Sequence, residues 1–245
     1  MPSQKATIVF GALQITYGLR RSDRRKTVNI AVDPREGVLV TAPRDVDADH
    51  VHRIVARKAR WIANRLRDLR ENYGNAYDRE FVSGESFPYL GRNYRLKIIP
   101  GAKAGMLLRL LRGRFEVRVD PRLSVTQRST VIRVELRRWY QEHAAERIPE
   151  RVGILAPRLG MISSQILIRD QQKRWASCDH RGQLRFNWRI IMAPMSLVDY
   201  VVAHELRHLI RHDHSPTFWK LLCTVMPDYA ERRERLRREG WRFWF

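Results

Sequence analysis

The sequence is poor in cysteine: among 245 residues only Cys178 and Cys223 carry thiols, which excludes the disulfide framework of small secreted domains. It also lacks any apolar run near the roughly 18 residues that a membrane span needs, and it opens on no signal-peptide pattern. These absences predict a soluble chain in a reducing, cytoplasmic interior, with no membrane partner. Acidic residues are scarce as well. Against 47 Lys and Arg there are 26 Asp and Glu, a formal charge of +21. Such an excess attracts polyanions. The basic clusters "LRRSDRRK", "RRER" and "LRRE", however, have neither interleaved aromatics nor a groove-reading motif, so nucleic acid is compatible with the charge and not required by it. Internal repeats and low-complexity linkers are absent too. The 44% hydrophobic content is enough to bury a core without covalent staples.

What is present divides by periodicity. From Ile8 to Ala42, "TIVFGALQITYGLR", "KTVNIAVD" and "GVLVTAP" alternate in short pieces that read as strands. Residues about 47–72 carry Val51, Ile54, Val55, Ala59, Trp61, Ile62, Leu66 and Leu69 at mostly helical spacing, which predicts one long amphipathic helix. Strand signals return in "YLGRNYRLKIIP" and "LRLLRGRFEVRVD", with a hairpin turn at Arg112-Gly113. After Pro121 a helical segment is expected, bent before Pro149 and stopped at Gly160. A β-hairpin or meander follows around the turn Asp179-His180-Arg181-Gly182. Three helices should then start at Ser196 (with Asp199), Ser215 (with Pro216) and Asp228 (with Glu231), the last ending at Gly240. The order predicts an α+β fold: a β-rich N-terminal subdomain over 1–120 with one long helix, packed as one unit with 121–245 because no linker separates them.

The stretch "HELRHLIRHDHSPTFW", residues 204–219, carries the chemistry. On a helix, His204 and His208 lie four residues apart on one face, so both imidazoles reach one point. Val198, Val202, Leu206 and Leu209 form the opposite, core-facing stripe. Glu205 falls about 100° from His204, beside the pair. In a His-Glu-x-x-His pattern two neutral imidazoles hold Zn²⁺ and the glutamate takes a proton from the water that the ion activates. A catalytic zinc needs a third protein ligand. Were the helix continuous, His212 would stand roughly 12 Å along the axis from His204, out of reach. The Ser215-Pro216 start of a new helix forces a break through Arg211 to Asp213, and the reversal can bring His214 back over the ion. His212 then belongs to the turn, in contact with solvent or in a supporting role.

Two segments, "RWASCDHRGQLRFNWRIIMAP" and "DYVVAHELRHLIRHDHSPTFWKLLCTVMPDYAERRERL", resemble the YgjP-like zinc metallopeptidase family, distantly similar to the SprT-like and Wss-like proteases. The likeness is most specific over 165–236. "YLGRNYRL" and the helix around Trp61 extend it into the first half. The resemblance implies a zincin-like metallopeptidase domain over 121–245, one zinc ion per chain on His204, His208 and His214, Glu205 as general base, and a peptide or protein substrate. It also implies that Arg174 to Asn187 lie beside the motif helix, as an edge to which an extended peptide can add. The family has glycine where this chain has Ala176; a requirement there for positive φ or close approach would make alanine costly.

Other residues carry two readings each. Arg174 would either face a substrate or developing negative charge, or form a structural ion pair. Asn187 would bond the hairpin or the substrate, and Tyr229 would donate to an oxyanion or pack. Cys178 reads as a small buried hydrophobe. Phe218 and Trp219 read as core, and the terminal "GWRFWF" as a segment folded back on the domain. The leading expectation is a zinc metallopeptidase. Its rivals are a metal-dependent nucleotide phosphoanhydride hydrolase, a DNA-associated protease of SprT-like or Wss-like type, and a zinc-stabilised module without turnover. Substrate and oligomeric state are not written in the sequence.

Overall fold

A computed structural model of the chain describes residues 4–33, 37–73, 79–101, 108–161, 165–172 and 174–245. The architecture is α+β, as expected, and it separates into two compact units, Met1–Asp78 and Arg79–Phe245. The boundary expected at 120 falls inside the second unit. There Phe87, Leu96, Phe115 and Val117 share a hydrophobic core with residues of the C-terminal helices.

In the first unit, β1 (Gln4–Phe10) and β2 (Leu13–Arg21) form a hairpin, and β3 (Asn29–Asp33) pairs antiparallel with β4 (Gly37–Ala42). The parallel pairing of β2 with β4 joins them into a sheet of order β1-β2-β4-β3. Alternation buries Ile15, Tyr17 and Leu19 of β2, with Val38 and Val40 of β4, against Val51, Val55 and Ile62. The one long helix expected over 47–72 is two, α1 (Ala48–Arg57) and α2 (Ala59–Tyr73). They break at Lys58, whose N–H is shared between the carbonyls of Ile54 and Val55 at 3.2 and 3.1 Å, tightening the last turn of α1.

The second unit repeats the strand plan with unrelated sequence. β5 (Ser86–Tyr89), β6 (Arg92–Pro100), β7 (Arg109–Leu111) and β8 (Arg114–Val119) form a sheet of order β5-β6-β8-β7, again two hairpins joined by a parallel pair. The expected turn at Arg112-Gly113 closes β7 to β8 with both residues at positive φ, +50° and +74°, the requirement of a two-residue turn of this hand. The helix α3 (Val125–Arg158) starts with a capping box between Ser124 and Gln127. It runs on through Pro149 and Pro157, so the expected bend does not interrupt it.

A small sheet of order β10-β11-β9 follows, from β9 (Ile166–Arg169), β10 (Ala176–Cys178) and β11 (Leu184–Asn187). The turn Asp179 to Gly182 joins β10 to β11, closed by Gly182 N–H to Asp179 O at 3.0 Å. Then come α4 (Met195–His208), α5 (Pro216–Val225) and α6 (Tyr229–Glu239).

The helix starts differ from expectation in their chemistry. α4 begins after Pro194, not at Ser196, and has no side-chain cap. Asp199, expected in a capping box, instead makes a two-point ion pair with Arg151 of α3, at 2.6 and 2.9 Å. Ser215 and Asp228 do precede α5 and α6, but neither side chain caps: the Ser215 hydroxyl bonds Asp213 at 2.9 Å, and Asp228 pairs with Arg232 at 2.8 Å. The C-terminal segment packs back as expected, with Phe245 among Phe81, Phe87, Tyr140 and Trp188. Gly91, at φ +81°, touches Pro194 so closely that a Cβ would stand 2.9 Å from its Cα. The β5–β6 turn thereby braces the start of α4.

Candidate metal centre

α4 is held by its buried stripe of Val198, Val202 and Leu206, each fully excluded from solvent. The helix stops after His208, and the chain turns through Arg211 to Asp213, as the Pro216 start of α5 requires. The turn returns His214 to His204. The Nε2 atoms of His204 and His208 lie 3.2 Å apart, and those of His204 and His214 lie 3.1 Å apart. Tetrahedral ligands about 2.05 Å from a zinc ion would stand about 3.3 Å from each other, so the donor set fits a single divalent ion. It also forms the one group of three or more metal-binding side chains found among the described residues.

Protonation favours the same chemistry. Burial, then the nearby His208 and His214, pushes His204 down to about 3, which keeps it a neutral imidazole at pH 7. Burial also lowers His208. Its Nδ1 sits 2.8 Å from the Arg211 carbonyl; because a carbonyl only accepts, Nδ1 carries the proton and Nε2 keeps its lone pair for a metal. Phe218, fully buried, packs on all three imidazoles with ring centroids 4.7 to 5.1 Å away.

Glu205 is 6% exposed, on the side of α4 that meets β10, and its Oε2 is buried with no hydrogen-bond partner. Burial raises it to about 7, against the opposing pull of Arg174 and of the Cys178 backbone N–H that it accepts. Burial likewise pushes the Cys178 thiol up to about 11, so it remains a neutral, inert group.

The raised carboxyl has a sign that can be measured. Without metal, folded Glu205 holds a proton that the unfolded chain releases above about 4.5, so its contribution to stability is lost as pH rises from about 4.5 to 7. A shift of that size corresponds to about 3 kcal/mol. Urea midpoints of metal-free wild type and Glu205→Gln at pH 5 and pH 7.5 should therefore diverge, the glutamine protein gaining relative stability at the higher pH. His204, lowered on folding, gives the opposite slope; it is common to both proteins and cancels in the difference. Parallel midpoints at both pH values would remove the buried-carboxyl account.

The remaining candidates separate clearly. Arg174 is exposed and lines, with His204, Glu205, Trp175, Ala176 and Tyr200, a cleft of about 300 Å³. Asn187 does not line it. The side chain is fully buried, gives its amide to the carbonyls of Gln171 and Arg174 at 2.8 and 3.3 Å, and accepts from Arg189 N–H at 3.2 Å. A substrate contact at Asn187 is thus replaced by a structural tie from β11 to the backbone of Gln171 and Arg174. Tyr229 stacks on Trp219 at 5.3 Å and 15°, one ring removed from the histidines. His212 is exposed, its ring 5.3 Å from that of His180. Ala176, in β10 opposite Phe186, is not among the residues at positive φ, so its methyl group fits without strain.

Sequence reading missed the positioning role of Trp219. Besides packing, its Nε1 donates to the His214 carbonyl at 3.0 Å, which pins the loop that carries the third imidazole. Tyr200, one helical turn before His204, was also missed, although its ring lies 5.9 Å from that histidine and the four-residue spacing gave the clue.

A family model described as YgjP-like, metallopeptidase domain, matches residues 26–239. Among solved structures, the metallopeptidase zymogen jannalysin of Methanocaldococcus jannaschii is similar at 21% identity and a TM-score of 0.35, over 38% of this chain and 96% of that one. The metallopeptidase zymogen abylysin of Pyrococcus abyssi is similar at 21% identity and 0.34, over 36% and 90%. No curated protein matches the chain. No described helix is long and apolar enough to cross a membrane.

Proposed function

The chain belongs to the YgjP-like metallopeptidase family, and from that premise we propose that it is a zinc-dependent hydrolase of peptide bonds in which His204, His208 and His214 hold the ion and Glu205 is the general base. The observation that carries the reading is the convergence of three Nε2 atoms at the cleft that Glu205 also lines, the Glu205 carboxylate being buried with one oxygen free of any hydrogen-bond partner. Three imidazoles without a thiolate suit a catalytic zinc site, which keeps a fourth position open. When bound, zinc polarises a carbonyl and lowers the pKa of a water toward about 7.

The chain's own groups do the rest. Glu205 takes up a proton at Oε2 and returns it to the leaving amine; a pKa near 7 suits both transfers at neutral pH. The Cys178 N–H fixes the orientation of the carboxylate. Arg174, at the cleft, offsets negative charge as it develops on the substrate. β10 is an edge strand next to α4, so an extended peptide can pair with it and bring its backbone past Glu205.

The test is metal content of the purified protein together with hydrolysis of an unfolded protein and of nucleoside triphosphates. About one zinc per chain with cleavage of the protein is the expected result. Triphosphate hydrolysis without proteolysis would replace the peptidase by a phosphohydrolase, and a chain that takes up no zinc would end the metal reading.

A further inference from the structure

The helix α6 carries five arginines, and four of them are neutralised: Arg232 by Asp228 at 2.8 Å, Arg235 by Glu239 at 3.1 Å, Arg237 by Glu234 at 2.6 Å and Arg238 by Glu239 at 3.2 Å. Arg233 is the exception. It forms no ion pair among the described residues and lies over the Trp219 ring, 4.7 Å from its centroid. Its neighbour Glu234 is engaged by Arg237. Arg233 lines the same cleft as His204 and Glu205, as does Arg174, which makes no contact ion pair among the described residues although its charge acts on the buried Glu205. The only carboxylate among the lining residues is the buried Glu205. Val201, Leu236, Trp175 and Tyr200 supply apolar surface to the cleft, and Arg237, engaged with Glu234, also lines it.

A surface that pairs its other α6 arginines but leaves one cationic over an aromatic ring, at the mouth of a cleft, is arranged to receive an anion. An arginine held on a ring face loses little freedom when it takes up a carboxylate in two-point fashion. Attraction is strengthened where the walls exclude water. Resting on the peptidase reading, we infer that the cleft selects peptides bearing a carboxylate close to the scissile bond, with Arg233 as the specificity residue and Arg174 as its second cation. The carboxylate is either an Asp or Glu side chain or the free end of the peptide, since both present the same anion. The apolar lining suits the hydrocarbon part of such a residue better than it suits a polyphosphate.

The experiment uses zinc-loaded protein and matched fluorogenic peptides: one with Glu beside the cleaved bond and an amidated end, its Gln counterpart, and the Gln peptide with a free C-terminus. The wild type should favour a carboxylate-bearing peptide over the neutral one by about tenfold in kcat/KM. Which of the two gains identifies the source of the carboxylate. Arg233→Gln should bring that ratio close to one, whereas Arg235→Gln, on the same helix but paired with Glu239, should keep it. The same peptides, titrated onto zinc-loaded Glu205→Gln with and without Arg233→Gln, report binding without turnover. Equal handling of all three peptides by the wild type, or a preference that survives Arg233→Gln, would overturn the inference while leaving the peptidase in place. Absence of any cleavage would instead end the peptidase reading, and the binding series would still decide whether the cleft holds a carboxylate. Competition by a nucleoside triphosphate but by no carboxylate peptide would assign the cleft to phosphate.

Discussion

In the Glu205→Gln protein, zinc is expected to remain at about one ion per chain, and kcat on an unfolded protein should fall by between about 100-fold and 10,000-fold. The two halves of this result have separate causes. Glu205 is not one of the three side chains whose nitrogens converge, so its replacement leaves that donor set intact. Glutamine has the same shape, and its carbonyl oxygen can still accept the Cys178 N–H that Glu205 accepts. What disappears is a basic oxygen, the buried Oε2, that has no hydrogen-bond partner. Metal analysis and turnover measured on one preparation separate the effects. Loss of zinc along with activity would make Glu205 a ligand, and wild-type turnover would strip it of the role of base.

His214→Ala should give the second large effect, and here metal and turnover are expected to fall together. Unlike His204 and His208, whose positions are fixed by a buried helix, His214 stands on an exposed turn, and its backbone is tied by the Trp219 indole at 3.0 Å. Removing the imidazole itself should weaken zinc binding by more than the roughly 10-fold to 100-fold that loss of an outer partner of a ligand typically costs. Trp219→Phe keeps a ring on Tyr229 and removes the N–H, and should fall within that smaller range. Competition with a chromogenic chelator measures both, and circular dichroism confirms the fold. If His214→Ala held zinc as tightly as wild type, the third ligand would have to be sought elsewhere; if Trp219→Phe had no effect on affinity, the indole would be packing alone.

Much of this was legible from spacing. The four-residue interval between His204 and His208 fixes their common face, the intervening Glu205 its offset, and Pro216 the break that lets His214 return, because these are consequences of helix geometry and of the proline ring. The α+β order and the Arg112-Gly113 turn followed from alternation and local backbone preference in the same way. Local rules misled where a tertiary partner outbid them. Asp199 has the position of a capping residue, yet the Arg151 guanidinium of α3, distant in sequence, offers a stronger charged partner. Asn187 looked available for substrate until the backbone carbonyls of Gln171 and Arg174 closed over it.

The division of the chain shows the same limit. By composition alone the β-rich half ends near residue 120, but the burial of Phe87, Phe115 and Val117 with α3 decides that the second sheet belongs with the C-terminal part. The sequence by itself determined the histidine and glutamate types, their interval and the turn before His214, since each depends on neighbours within a helical turn or two. Only the tertiary structure decided that Glu205 is buried with one free oxygen, that Trp219 reaches back to His214, and that Arg233 alone on its helix faces the cleft without an acid. Those facts depend on which distant segments exclude water from a side chain or neutralise it, and no periodicity encodes that.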